Sequence, residues 1–141
     1  MSKKQINAFS LLELLVVISI MGLLIAMGAV AFATVQQRGR DAKRRADMQG
    51  IQKAFEQYNA VNSSYEACST MATSEYLPAG LPTDPQPSKS YVIGASNCDA
   101  DGYCICAELE GDGTGNADAP TDTSCNFNST DGNYFCVTNL Q

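Results

Sequence analysis

The stretch Phe9-Ser10-Leu11-Leu12-Glu13-Leu14-Leu15-Val16-Val17-Ile18 decides how this chain is read. It opens an apolar run broken by one carboxylate, and it follows a short leader, Met1 to Ala8, that carries Lys3 and Lys4. From Leu14 to Val35, 22 residues pass without a charge. A helix of that length crosses the roughly 30 Å hydrocarbon layer of a bilayer. A carboxylate at membrane depth costs about 2.5–3.5 kcal/mol, so an ordinary anchor or export signal would hold an apolar residue in place of Glu13. A partner charge would remove the penalty. The nearest candidate is an α-amino group, which a cut just before Phe9 would create.

Lys3 and Lys4, the small residue Ala8, then Phe9, Glu13 and the apolar run Leu11 to Val35 together resemble the class III signal of the type IV pilin and pseudopilin family. The resemblance implies that a prepilin peptidase cuts between Ala8 and Phe9 and methylates the new amino terminus on Phe9. It also implies an assembly role for Glu13, which would neutralise the N-terminal amine of a neighbouring subunit. Ala8 stands where the family usually has glycine. Val30 stands where many members carry a helix-kinking proline, leaving Gly22 and Gly28 as weak spots. The likeness is specific over residues 1–35, looser over 36–60 and generic beyond.

An ordinary secretory signal is the competing interpretation, because Ala29-Val30-Ala31 and Ala31-Phe32-Ala33 both fit a small-residue cleavage site. Against it, the apolar run is about twice the usual 7–15 residues of such a signal, and Glu13 sits near its start. The lack of cysteine near the run argues against a lipoprotein.

Removing the leader (residues 1–8) and the helix of residues 9–35 leaves residues 36–62 to continue that helix and 63–141 to form a small head. So short a head buries little apolar area, and extracellular domains of this size commonly compensate with disulfides worth about 2–4 kcal/mol each. All six cysteines lie in it: Cys68, Cys98, Cys104, Cys106, Cys125 and Cys136. Six cysteines allow about 15 pairings, and spacing alone does not choose among them. Cys104 and Cys106 share one face of an alternating segment and are not expected to pair with each other. A metal site is the other interpretation of Cys104-Ile105-Cys106, but the chain has no histidine and no C-x-x-C pair, so disulfides are expected.

Charge divides sharply. Residues 1–53 hold eight of the nine basic residues and three acids, a net of +5, whereas residues 54–141 hold Lys89 against twelve acids, a net of −11. The cluster Arg38, Arg40, Lys43, Arg44 and Arg45 directly follows the apolar run and reads as a patch beside anionic lipid. Nucleic-acid binding is the sharper interpretation of the same cluster, but no aromatic residues interleave with it. By itself the cluster would favour retention inside; Lys3 and Lys4 oppose this, and the six cysteines point to an oxidising exterior.

Met48, Ile51, Phe55 and Tyr58 recur at spacings of three and four, which predicts an amphipathic continuation of the helix. Asp41 is expected to pair with Arg45, and Lys43 with Asp47. Polar stop signals follow from Asn59 to Ser64, so one helix over about residues 9–58 is expected, roughly 75 Å long at 1.5 Å per residue. Three segments rich in aromatic and β-branched residues read as strands: 90–94, 102–110 and 133–138. Asn97 to Gly102 suits a hairpin turn between the first two. The predicted class is α+β, with a small antiparallel sheet laid on the helix stripe. Residues 77–87 form a proline-stiffened link, and its Pro82-Thr83-Asp84-Pro85 is similar to links in major pseudopilins.

Calcium is the one cofactor the composition suggests, through Asp112, Asn116 and Asp118 in a glycine-rich acidic loop that also holds Glu108 and Glu110. Asp99-Ala100-Asp101-Gly102 is a thinner candidate. No catalytic constellation assembles: there is no histidine, no nucleophile elbow and no phosphate loop. The sequons at Asn62 and Asn128 are too short to assign glycosylation. The expectation is a structural subunit of a filament, a homo-oligomer made as a cytoplasmic-membrane precursor and polymerised through its N-terminal helix to form an extracellular filament. The resemblance implies a prepilin peptidase, an inner-membrane assembly platform and an assembly ATPase as partners. A type II secretion pseudopilin or a minor pilin is the alternative, and a membrane-anchored binding domain is a third class.

Overall fold

The computed structural model describes residues 9–93, 98–118, 125–128 and 132–140. Its elements are α1 (Leu11–Asn62), α2 (Cys68–Met71), β1 (Cys104–Glu108) and β2 (Tyr134–Thr138), so the class is α+β. The chain divides into two compact units, Met1–Gln36 and Gln37–Gln141.

The first unit is the apolar part of α1. Its large side chains are exposed at every turn, from Leu11 at 81 % to Val35 at 64 %. A helix that is apolar all round needs a nonaqueous surrounding, and among the described residues α1 is the one helix long and apolar enough to cross a membrane. The Ser19 hydroxyl satisfies itself by donating to the Leu15 carbonyl at 2.8 Å.

The second unit is built on the remaining turns of α1. Met48, Ile51, Ala54 and Phe55 are buried at the predicted spacing, while Tyr58 packs partly buried at the edge. Against this stripe lie Tyr103, Ile105, Ala107 and Val137 from the sheet, with Tyr65, Cys68, Met71 and Cys98. Phe55 and Tyr65 meet the Tyr103 ring at centroid distances of 4.5 and 5.3 Å. The Tyr103 hydroxyl, buried with its ring, donates to Glu56 at 2.8 Å. The helix runs past Tyr58 to Asn62, the end of the continuation expected over residues 36–62. It stops where Ser63 turns to φ 58°, with the Ser63 N–H returning to the Asn59 carbonyl at 2.8 Å.

Among the described residues the sheet has two strands rather than the three predicted. β1 and β2 pair antiparallel with Cys106 opposite Cys136 and Ile105 opposite Val137. Segment 90–94 contributes a single bridge, Val92 to Cys106; Gly94 lies outside the described residues. Side chains tether this segment instead of a ladder: Tyr91 donates to Asp47 at 2.7 Å, and Lys89 pairs with Glu108 at 3.0 Å. The expected turn closes over 99–102, where Asp99 Oδ1 accepts from the N–H groups of Asp101 and Gly102; Asn97 lies outside the described residues.

The free edge of β2 is covered without a strand. Asn116 Oδ1 accepts from the Cys136 N–H at 2.7 Å, and Asn116 Nδ2 donates to the Cys136 carbonyl at 3.0 Å, imitating a neighbouring backbone. This requires the loop to lie close: the Gly115 N–H donates to the Gly132 carbonyl at 2.8 Å, and a Cβ on Gly115 would sit 2.2 Å from the Tyr134 carbonyl oxygen.

The basic cluster after the apolar run does not form an open patch. Arg44 has no exposed surface, and all five of its N–H donors are used. It binds Asp84 through Nε at 2.7 Å and Nη2 at 2.8 Å, Asp41 at 2.8 Å, Glu110 at 2.7 Å and Gln86 at 3.4 Å. Arg40 also grips Glu110, at 2.7 Å through Nε. Lys43 pairs with Asp47 as predicted. Asp41, however, pairs with Arg44 instead of Arg45, because it also accepts from the N–H groups of Glu110 and Gly111. Arg45 donates to the Thr114 carbonyl and covers the Phe135 ring at 5.4 Å. The lipid-patch and nucleic-acid expectations for this cluster therefore lose most of their charge to pairing within the head.

Hydrogen bonding from Arg40, and then from Arg44, holds the Glu110 carboxyl down to about 2 against the effect of burial. Burial works against ionisation of Asp84 too, but hydrogen bonds from Arg44 and the Gln86 N–H outweigh it and keep that carboxyl below its usual range. Both folded-state values are depressed, so this contribution is fully present above the ordinary carboxylate range near about 4 and is lost as pH falls toward about 2. Arg44→Met leaves three carboxylates facing an uncharged side chain. It should cost about 3–5 kcal/mol and flatten the acid limb of the stability curve, as measured by thermal unfolding of the detergent-solubilised chain between pH 2 and 7. Gly115→Ala should destabilise by about 2 kcal/mol or more, because the obstructing atoms are backbone; the same melts check it.

Candidate functional site: the helix start from Phe9 to Glu13

The first turn of any helix leaves N–H groups without intrahelical partners, a heavy cost where water is absent. Here the chain satisfies two of them itself. Ser10 is the N-cap: its Oγ accepts from the Leu12 N–H at 3.3 Å, and its carbonyl accepts from the Leu14 N–H at 3.3 Å. Glu13, three residues on, reaches back so that Oε2 accepts from the Ser10 N–H at 3.0 Å. This is a variant of the capping box, in which Glu13 reaches back to the N-cap N–H while the Ser10 Oγ meets the Leu12 N–H rather than that of Glu13, with the apolar residues Phe9 and Leu14 at the positions of a hydrophobic staple.

Glu13 therefore has a local partner that the residue-by-residue interpretation missed. The signal was present as Ser10-Leu11-Leu12-Glu13, the S-x-x-E pattern that opens a helix. The penalty for the carboxylate is partly offset by a backbone N–H, before any partner charge is invoked. The bond uses Oε2 alone; among the described residues Oε1 carries no hydrogen bond. The box also sets the helix start at Leu11 rather than residue 9, leaving Phe9 outside the helix with its side chain 81 % exposed. Lys3, Lys4 and the cleavage-site residue Ala8 lie outside the described residues. No break occurs at Gly22 or Gly28, where α1 is continuous.

The head cysteines pair as Cys68–Cys98, Cys104–Cys125 and Cys106–Cys136, with none free. Cys104 and Cys106 point to one side of β1, as the alternation predicts, and each finds a different partner. Most of the suggested calcium ligands have other partners within the chain. The Asn116 amide is spent on the edge of β2, Glu110 on Arg40 and Arg44, and Glu108 on Lys89. Asp118 accepts from Asn128 at 3.4 Å, and Asp112 lies exposed in the turn after Gly111. Asp99, in the thinner candidate, is used by its own turn.

Comparison with curated proteins and with solved structures gave no match. Comparison with protein families matched residues 3–29 to the prokaryotic N-terminal methylation motif. The matched segment contains Phe9, Ser10 and Glu13 and ends within the apolar run of α1. The chain thus carries, on residues 3–29, the class III signal of the type IV pilins and pseudopilins.

Proposed function

We propose that this chain is a structural, non-catalytic subunit of a type IV pilus-like filament, and the methylation motif over an all-round apolar helix is the observation that carries this reading. The precursor sits in the cytoplasmic membrane through α1. A prepilin peptidase cuts between Ala8 and Phe9 and methylates Phe9, and an assembly platform driven by an ATPase then extracts the helix into an extracellular filament. Cohesion comes from burial of the apolar side chains of α1 against other copies. Register comes from charge: the capping box occupies one oxygen of Glu13, which leaves Oε1 to receive the Phe9 amine of a neighbour. Contacts of this head-to-tail kind need not close, and they generate an open helical polymer.

One observation favours a second reading. Asp84, bound by buried Arg44, belongs to Pro82-Thr83-Asp84-Pro85, the link similar to those of major pseudopilins. A secretion pseudopilin would use the same N-terminal chemistry in a short, periplasm-spanning filament.

Glu13→Gln and Glu13→Leu separate the two jobs of the carboxylate. Glutamine keeps an acceptor for the Ser10 N–H and loses the charge; leucine loses both. A charge-assisted bond contributes about 1.5–3 kcal/mol, so both variants should cut filament yield about tenfold or more. Only Glu13→Leu should also speed amide exchange at Ser10. Sheared filaments weighed against total subunit provide the readout, and normal yield from Glu13→Leu would remove the charge-pairing mechanism.

A further inference from the structure

The two disulfides on the sheet lie side by side, and their four sulfurs form a single cluster. The Sγ atoms of Cys104, Cys106, Cys125 and Cys136 all fall within 4.8 Å of one another. Cys104, Cys106 and Cys136 are buried, and Cys125 is half-buried at the outer end. We propose that this cluster has a second closure: when both disulfides are reduced, the four thiolates bind one thiophilic divalent ion, such as Zn²⁺, in a tetrahedral all-cysteine site.

The geometry is close to what such an ion needs. A zinc–sulfur bond of about 2.3 Å in a tetrahedron puts neighbouring sulfurs about 3.8 Å apart. Cys104 Sγ and Cys106 Sγ, which belong to different disulfides, are already 3.8 Å apart. Of the five other edges, the two bonded pairs must widen, by side-chain rotation once the bonds are opened, and the remaining three already lie within 4.8 Å. Three of the four ligands ride on the β1–β2 ladder, with Cys136 directly opposite Cys106. Asn116 clamps the Cys136 backbone from the far side, so the ligands are positioned by bonds that do not involve sulfur. The donor set is entirely soft thiolate, which suits zinc without any histidine.

The chemistry balances with a dithiol reductant. Two equivalents of dithiol each deliver two electrons and two protons, giving four protein thiols and two oxidised reductant disulfides. The ion then displaces the four thiol protons as the four sulfur–metal bonds form. Cys68–Cys98 does not belong to the cluster and serves as an internal control. The two closures exclude each other, so an ion acquired before oxidation would protect the sheet cysteines from mispairing with Cys68 or Cys98.

The test uses the full chain in detergent, reduced with excess dithiol, freed of reductant under anaerobic conditions and titrated with Co²⁺ alone. One ion per chain should bind, with the ligand-field bands of tetrahedral cobalt, a thiolate-to-cobalt charge-transfer band and four protons released. The bands should persist in the Cys68→Ser, Cys98→Ser double variant. They should be lost in Cys106→Ser, and also in Cys125→Ser, where the ligand is half-buried rather than buried. No charge-transfer band at one equivalent overturns the proposal, as does a band that survives either cluster variant or requires Cys68. Neither filament assembly nor cleavage at Phe9 enters the readout, so the result is independent of the filament reading.

Discussion

A guanidinium taken fully out of water must have every N–H met by an acceptor, and Arg44 meets this condition using three separate stretches of chain. Asp41 comes from its own helix, Asp84 from the proline-rich link and Glu110 from the turn after β1. A head of this size has little apolar area with which to order its long connections. Pinning the link and the turn to one charge on α1 does that work. The same pairing consumes positive charge that would otherwise stand open after the apolar run.

Disulfides and backbone mimicry complete what Arg44 begins. Cys68–Cys98 ties the short helix α2 to the turn before β1, and the other two bridges join the sheet to itself and to the loop around residue 125. Asn116 covers the edge that a two-stranded sheet leaves exposed. The acidic loop is thus organised by hydrogen bonds to arginines and to strand backbone.

Features encoded by neighbouring residues were legible in the sequence, and features encoded by distant ones were not. The processing signal, the apolar run and the Met48, Ile51, Phe55 stripe are local or helical patterns, and the structure reproduces the run and the stripe. The Ser10–Glu13 contact is equally local and is encoded in Ser10-Leu11-Leu12-Glu13. Arg44 stands among four other basic residues in the sequence, and nothing local marks it as the buried one; its carboxylates at positions 84 and 110 lie 40 and 66 residues away. The disulfide pairing and the replacement of a third strand by a single bridge at Val92 depend on the same long-range closure. The pairing of Asn116 with the Cys136 backbone, 20 residues on, is likewise invisible locally.

The claim that unites these observations is that the mature chain begins at Phe9, with Glu13 at the head of an intact α1 and an oxidised head beyond it. Intact-mass and N-terminal analysis of the native protein from a sheared surface fraction, before and after reduction, tests it most directly. The expected chain starts with N-methyl-Phe9 and gains about six hydrogens on reduction, two for each of the disulfides Cys68–Cys98, Cys104–Cys125 and Cys106–Cys136. A chain that starts near Phe32 or Thr34, or that still carries Met1, would contradict it.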